Sequence, residues 1–167
     1  MTVEGGSAHL SAAMFAVMAG VKMTPIPYKN TGTAITDLIS GQVQLFFSAS
    51  GPVMPHVKAG KLKALGITSA RKSALLPDLP TIAESGLPGF NSSTWFGIVG
   101  PGGMPRPIVD KLAAALKSAL EDPQVNELVR KLGAEPQFMA PRAFDDFMKS
   151  ERVKWDATVK ASGAKVG

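Results

Sequence analysis

Three short turns share one chemical character. Gly6-Ser7-Ala8-His9, Lys29-Asn30-Thr31-Gly32 and Ser48-Ala49-Ser50-Gly51 each put small or hydroxyl-bearing residues at the start of a helical pattern. A helix that begins there presents unpaired backbone N–H groups and the positive end of its dipole, and a hydroxyl adds a donor without blocking approach. That chemistry suits a carboxylate, and such turns at one edge of an open α/β sheet would form an anion cradle. Ser7, Thr31 and Ser50 serve equally well as ordinary helix caps. Spacing alone leaves both readings open.

No reaction is specified. The two histidines, His9 and His56, lie far apart, HExxH is absent and there is no cysteine, so neither a metal site nor a thiol nucleophile is expected. KAGKLKAL resembles the end of a phosphate loop, but Pro55 stands where its first glycine belongs and Leu62 follows Lys61. GxSxG is missing, and PGGMP is no dinucleotide fingerprint. No catalytic residue, metal or cofactor is expected.

The elements that must position the turns alternate. An apolar helix runs from a Ser7 cap to a stop at Gly20, and TGTAITDLIS forms a second with Ile35, Leu38 and Ile39 on one face. Strands are expected at 43–47, 62–68, 93–98 and 135–139, with a third helix in PVMPHVKAG. Residues 69–80 form an exposed loop, and Thr81 with Glu84 makes a capping box. PGGMPRP starts a helix over IVDKLAAALKSAL, Asp122-Pro123 starts another that Gly133 ends, and a last helix spans Pro141 to Ala161. Trp95 and Phe96 read as strand core. This order argues for an α/β domain with a largely parallel sheet.

With 167 residues, 45% hydrophobic and 19% charged, the chain has the make-up of a soluble domain with a real core. Only Met1-Thr2-Val3-Glu4 precede the Gly5–Val21 stretch, with an acid where a signal peptide has basic residues, and Leu10–Val21 is too short to span a bilayer. The net charge of +5 is interleaved with acids, as in KSERVKWDATVK, which marks solvated helix faces rather than a nucleic-acid surface. It still draws small anions.

GGSAHL, PYKNTGTAITDLISGQVQLFF, PHVKAGKLKALGITSARKSALLPDLPTIAESGLPGF and STWFGIVGPGGMPRPIVDKL together resemble the C-terminal half of the Bug family, the extracytoplasmic receptors of tripartite tricarboxylate transporters. The resemblance runs from about Thr2 to Ala164. It implies a type II periplasmic-binding-protein fold, with residues 1–92 as a nearly complete second lobe and 93–167 as the crossover strand and helices that complete the first. It further implies a small carboxylate ligand, membrane transporter subunits as partners and a periplasmic location. Gly6, Ser7, Ala8, His9, Tyr28, Lys29, Asn30, Thr31, Ser48 and Ser50 fall on the second lobe's side of the cleft. Asn30 stands where the family has glycine, and asparagine tolerates the turn.

Such receptors are about twice as long, so the chain reads as a truncated receptor, and half a cleft should bind weakly. The apolar faces of Ile108-Leu112-Leu116 and Phe144-Phe147-Met148 must then find the chain's own sheet, a second copy or solvent, which favours homo-oligomers. Other readings are a ligand-sensing regulatory domain, an α/β enzyme with an unrecognised site, and a remnant that binds nothing.

Overall fold

Glycine and proline punctuate the chain much as the sequence predicts. In the computed structural model residues 6–162 are described, and they form α1 (Ser7–Ala19), α2 (Thr31–Ile39), α3 (Ser50–Lys58), α4 (Arg106–Glu121), α5 (Pro123–Lys131) and α6 (Pro141–Ser162). Gly20 ends α1 in the left-handed conformation at φ 65°, where a side chain would be strained. Asp122 caps α5, its carboxylate accepting from Gln124 and Val125 N–H at 2.9 and 3.1 Å. No helix is long and apolar enough to cross a membrane among the described residues.

The helix starts differ from expectation by one residue. Gly6, Asn30 and Ala49 are the N-caps, which places Ser7, Thr31 and Ser50 inside the first turn. The cap is set by where the backbone leaves the extended region, and all three cap residues have extended backbone.

The four expected strands are not formed among the described residues. Among the described residues a single parallel bridge forms, between Ile67 and Thr81. Apolar runs supply strand propensity, but a ladder needs a partner backbone in register. Residues 67–68 find a partial one: Ile67 N–H donates to Pro80 O, and Ile82 N–H to Ile67 O, both at 2.9 Å. Ser92 N–H donates to Thr68 O at 2.8 Å. The 69–80 loop thus brings residues 80–82 beside residue 67. Gly66 permits this approach, because a Cβ there would lie 3.2 Å from Pro80 O.

The expected capping box is reciprocal. Glu84 N–H donates to Thr81 Oγ1 and Thr81 N–H to Glu84 Oε2, each at 3.0 Å, although a turn rather than a helix follows. The bond from Thr81 N–H holds the Glu84 carboxyl below its ordinary value of 4.5, against a smaller opposing effect of desolvation. A carboxyl lowered by folding binds its proton more tightly in the unfolded chain, so its stabilisation is present above that value and lost as pH falls through the folded one. Urea midpoints measured from pH 7 to 3 should therefore fall more for the wild type than for Glu84→Gln.

Two units divide the chain: Met1–Thr94 with Lys154–Gly167, and Trp95–Val153. In the first, Ala12, Met14, Ala34, Ile35, Val43 and Phe90 are buried. Of the expected α2 face, Ile35 is buried and Leu38 half-buried, while Ile39 is exposed. Ser11 Oγ donates to Ser7 O at 2.8 Å and lies 2.5 Å from Ser92 Oγ, so with its one hydrogen spent, Ser92 is the donor between them. That buried pair pins the first turn of α1.

In the second unit no hydrophobic residue is buried among those described. Trp95 packs edge-on against Phe144 and Phe147, with ring centroids 5.6 and 5.3 Å away, and donates Nε1–H to Glu151 at 3.2 Å. Phe96 is bare and Trp95 is itself 38% exposed, against the strand-core expectation for both. Charges on these helices pair along the surface, as Lys149 with Asp145 at 2.6 Å and Lys131 with Glu127 at 2.6 Å.

Candidate functional site

All ten residues nominated from sequence lie in the first unit, distributed over three helix starts. Their local chemistry separates them.

The start of α1 has no side-chain cap. Gly6 brings no side-chain acceptor to this start, and the first intrahelical bond is Leu10 N–H to Gly6 O at 3.1 Å. No acidic residue occupies that turn. Ser7 is exposed, while Gly6, Ala8 and His9 are half-buried. The start of α3 is of the same kind. Ala49 cannot cap, and the first turn, Ser50-Gly51-Pro52-Val53, contains no acid. Ser48 is exposed one residue before the cap and Ser50 is half-buried. Both helix starts retain the partial positive charge that an anion needs.

The start of α2 behaves differently. Asn30 Oδ1 accepts from Thr33 N–H at 2.9 Å and from Thr33 Oγ1 at 3.0 Å, so this helix caps itself. Asparagine at the position expected for glycine is thus an N-cap with extended backbone, at φ −149°, and not a left-handed turn residue. Lys29 and Thr31 are exposed.

Tyr28 is anchored by a residue that the sequence did not nominate. Its hydroxyl donates to Asp37 Oδ2 at 2.6 Å, joining the turn to the second turn of α2. That bond, with desolvation and the Asp37 charge as lesser causes, raises the Tyr28 hydroxyl above its ordinary value of 10.0, so the phenol holds its proton. Both side chains are half-buried. The only sequence signal was an acid among the apolar residues of TGTAITDLIS. Ser11 and Ser92 were missed too, being 81 residues apart.

The expected sheet edge does not carry these turns, because no sheet forms among the described residues. The bonds of Asn30 to Thr33 and of Tyr28 to Asp37 are local. What the geometry offers is two helix starts without a side-chain cap and one self-capped start flanked by a tyrosine–carboxylate pair.

Residues 2–164 match the model of the tripartite tricarboxylate transporter family receptor. The solved periplasmic binding protein BugD is similar at 35% identity and a TM-score of 0.77, over 98% of this chain and 56% of that one. Rpa4515 of R. palustris, solved with adipate, matches at 31% identity and 0.80 over the same shares. MatC from Rhodopseudomonas palustris, solved with bound malate, matches at 31% and 0.75, over 95% of this chain and 56% of that one. The chain spans about half the length of the first curated relatives it matches, 46% and 50%. Its fold is that of periplasmic binding proteins over slightly more than half of such a chain.

Proposed function

Because the chain belongs to the tripartite tricarboxylate transporter family of receptors, we propose that it is a non-catalytic solute-binding receptor that holds a small carboxylate at the starts of α1 and α3. The homologous proteins are transport receptors rather than enzymes, and the solved neighbours with adipate and malate support a carboxylate as the ligand class. In this reading the receptor works in the periplasm and delivers its ligand to membrane transporter subunits. Self-association through the apolar surface of the second unit is part of the same proposal.

The observation that carries it is the missing cap at α1. Most helix starts are quenched by their own Ser, Thr, Asp or Asn, as Asn30 quenches α2. Gly6 supplies no capping side chain to α1, and its extended backbone, at φ −72° and ψ 162°, is the conformation a capping side chain would need. Gly6→Asp should therefore cap α1 internally and repel an anion, while helix stability is kept or slightly raised.

Calorimetric titration of the chain with di- and tricarboxylates, acidic amino acids and aromatic acids tests the reading. The wild type should show saturable binding of at least one class, and Gly6→Asp should weaken it about tenfold or more, as expected for a lost charge-assisted contact. Ser7→Ala should have a smaller effect, since its backbone N–H remains. Silence across the panel from a folded sample, or an affinity that Gly6→Asp leaves unchanged, would overturn it.

A further inference from the structure

Two helices of the first unit leave a groove that neither fills. Met14, Val17 and Met18 line it from α1, and Ala157 and Ala161 line it from the last turns of α6, around a cavity of about 300 Å³. These positions recur at three and four residues on both helices, so each wall is one continuous face. Met14 is buried, whereas Val17, Met18 and both alanines are exposed. Alanine is too short to close such a space, and methionine adapts its shape to what enters.

The polar side chains in the lining are few, and none is acidic. Thr158 is buried with its hydroxyl donating to Lys154 O at 3.0 Å, so its one hydrogen is spent. Asn91 carries an amide donor, while its Oδ1 accepts from Ser93 Oγ at 3.4 Å. Lys154 is the sole charged residue of the lining. Its Nζ lies 4.9 Å from the centre of the Trp155 ring, and a ring faces a cation without cancelling its charge. From Lys154 to Ala161 the α6 wall runs about 10 Å at 1.5 Å per residue, with the cation at one end and small apolar side chains along the rest.

We propose that the groove between α1 and α6 is a second binding site, for a medium-chain fatty acid anion, with its carboxylate at Lys154 and its alkyl chain between Met14, Met18 and Ala161. Charge complementarity selects this occupant. A neutral apolar molecule gains nothing from the one cation, and a short diacid would set a second carboxylate among methionine and alanine side chains that cannot solvate it. Octanoate, extended, is of about the length of the wall. The inference does not rest on the receptor reading, since Met14 lies about 10 Å along α1 from Ser7 and no helix-start group takes part.

The test is calorimetric titration of the intact chain with octanoate, butyrate and octanol. Octanoate should bind saturably and about tenfold or more tightly than butyrate, whose shorter chain buries less apolar surface. Octanol should bind about three- to tenfold more weakly than octanoate, for want of the contact to a charged group. Lys154→Met keeps an apolar stem and removes the charge, so octanoate should fall to the level of octanol. Ala161→Phe fills the groove from an exposed position and should abolish octanoate binding with helical circular dichroism unchanged. Met18→Asp repels the acid from the opposite wall and serves if Ala161→Phe disturbs α6. Gly6→Asp, aimed at the α1 start, should leave octanoate binding as it was.

No saturable octanoate binding by the folded chain overturns the proposal. So does binding that survives both Ala161→Phe and Met18→Asp, which would put the acid on apolar surface elsewhere. Equal affinity for octanoate and octanol overturns the choice of an anion and the ligand class with it. None of these outcomes bears on the receptor reading, whose test is Gly6→Asp against the carboxylate panel.

Discussion

Phe90→Ala should cost the first unit about 3–5 kcal/mol, the usual penalty for truncating a fully buried aromatic. Phe90 is 1% exposed and meets Phe15 of α1 edge-on at 6.3 Å, and Phe15 in turn lies 5.8 Å from Phe47. The rest of the buried core is small, with two alanines, Val43, Ile35 and Met14. Backbone constraints hold the ring in place. Gly89 turns the chain at φ 84°, Phe90 N–H bonds to Leu87 O at 3.0 Å, and Ser92 is tied to Ser11. The site wall cannot collapse easily, which puts the loss at the high end of the range. Against a typical stability of about 5–15 kcal/mol, such a loss leaves the unit largely unfolded at modest denaturant. Denaturant unfolding followed by far-UV circular dichroism checks this. Leu65→Ala, at a position 63% exposed, should shift stability by less than about 0.5 kcal/mol. A loss at Phe90 no larger than that of the control would show that α1 is not anchored there.

The parts of this fold that were legible in the sequence are those determined within a few residues. Helix stops at Gly20 and Gly133, the Asp122 cap, and the Thr81–Glu84 box all depend on neighbours in the chain. Even the error at the helix starts is local. Ser7, Thr31 and Ser50, the expected caps, each sit one residue inside the observed one, because a hydroxyl marks the vicinity of a helix start while backbone geometry fixes the residue. Strands were not legible in this way, since 43–47 and 62–68 carry the right residues but pairing depends on segments distant in sequence.

The site divides along the same line. The three turns were visible because glycine, serine and asparagine before an apolar run have a local meaning. Which of them is capped by its own side chain was not visible, because that depends on whether a cap side chain reaches back. The Tyr28–Asp37 bond crosses from a turn to a helix and has no local signature, and the Ser11–Ser92 pair spans 81 residues. Family resemblance pointed to the same turns but not to the bonds that distinguish them.

The second unit should drive the chain to associate at micromolar concentration, a range in which bare apolar surface and unpaired strand edges become aggregation-prone. Its extended segment alternates. Trp95 packs on Phe144 and Phe147, and a Cβ at Gly97 would run into the Phe144 ring, so that side is covered by α6. Phe96 and Ile98, on the other side, are 89% and 74% exposed. Leu112 of α4 at 56% and Leu128 of α5 at 61% are also bare, as are Val99 and Leu132 at 75% each. Burying each large side chain is worth about 1.5–3 kcal/mol, so four or five of them outweigh a substantial part of the cost of association. The residues 95–99 also lack a strand ladder, so main-chain pairing with a second copy would add order to that contact. Light scattering coupled to size exclusion should give a mass above 17.4 kDa that rises with concentration. Phe96→Asp with Ile98→Lys places opposite charges on the bare side without touching the Trp95 cluster, and should return the chain to monomer while its helical signal persists. A wild-type mass that stays monomeric throughout the micromolar range would mean that the apolar side is satisfied within the chain, and the double variant would then lose stability instead of gaining solubility.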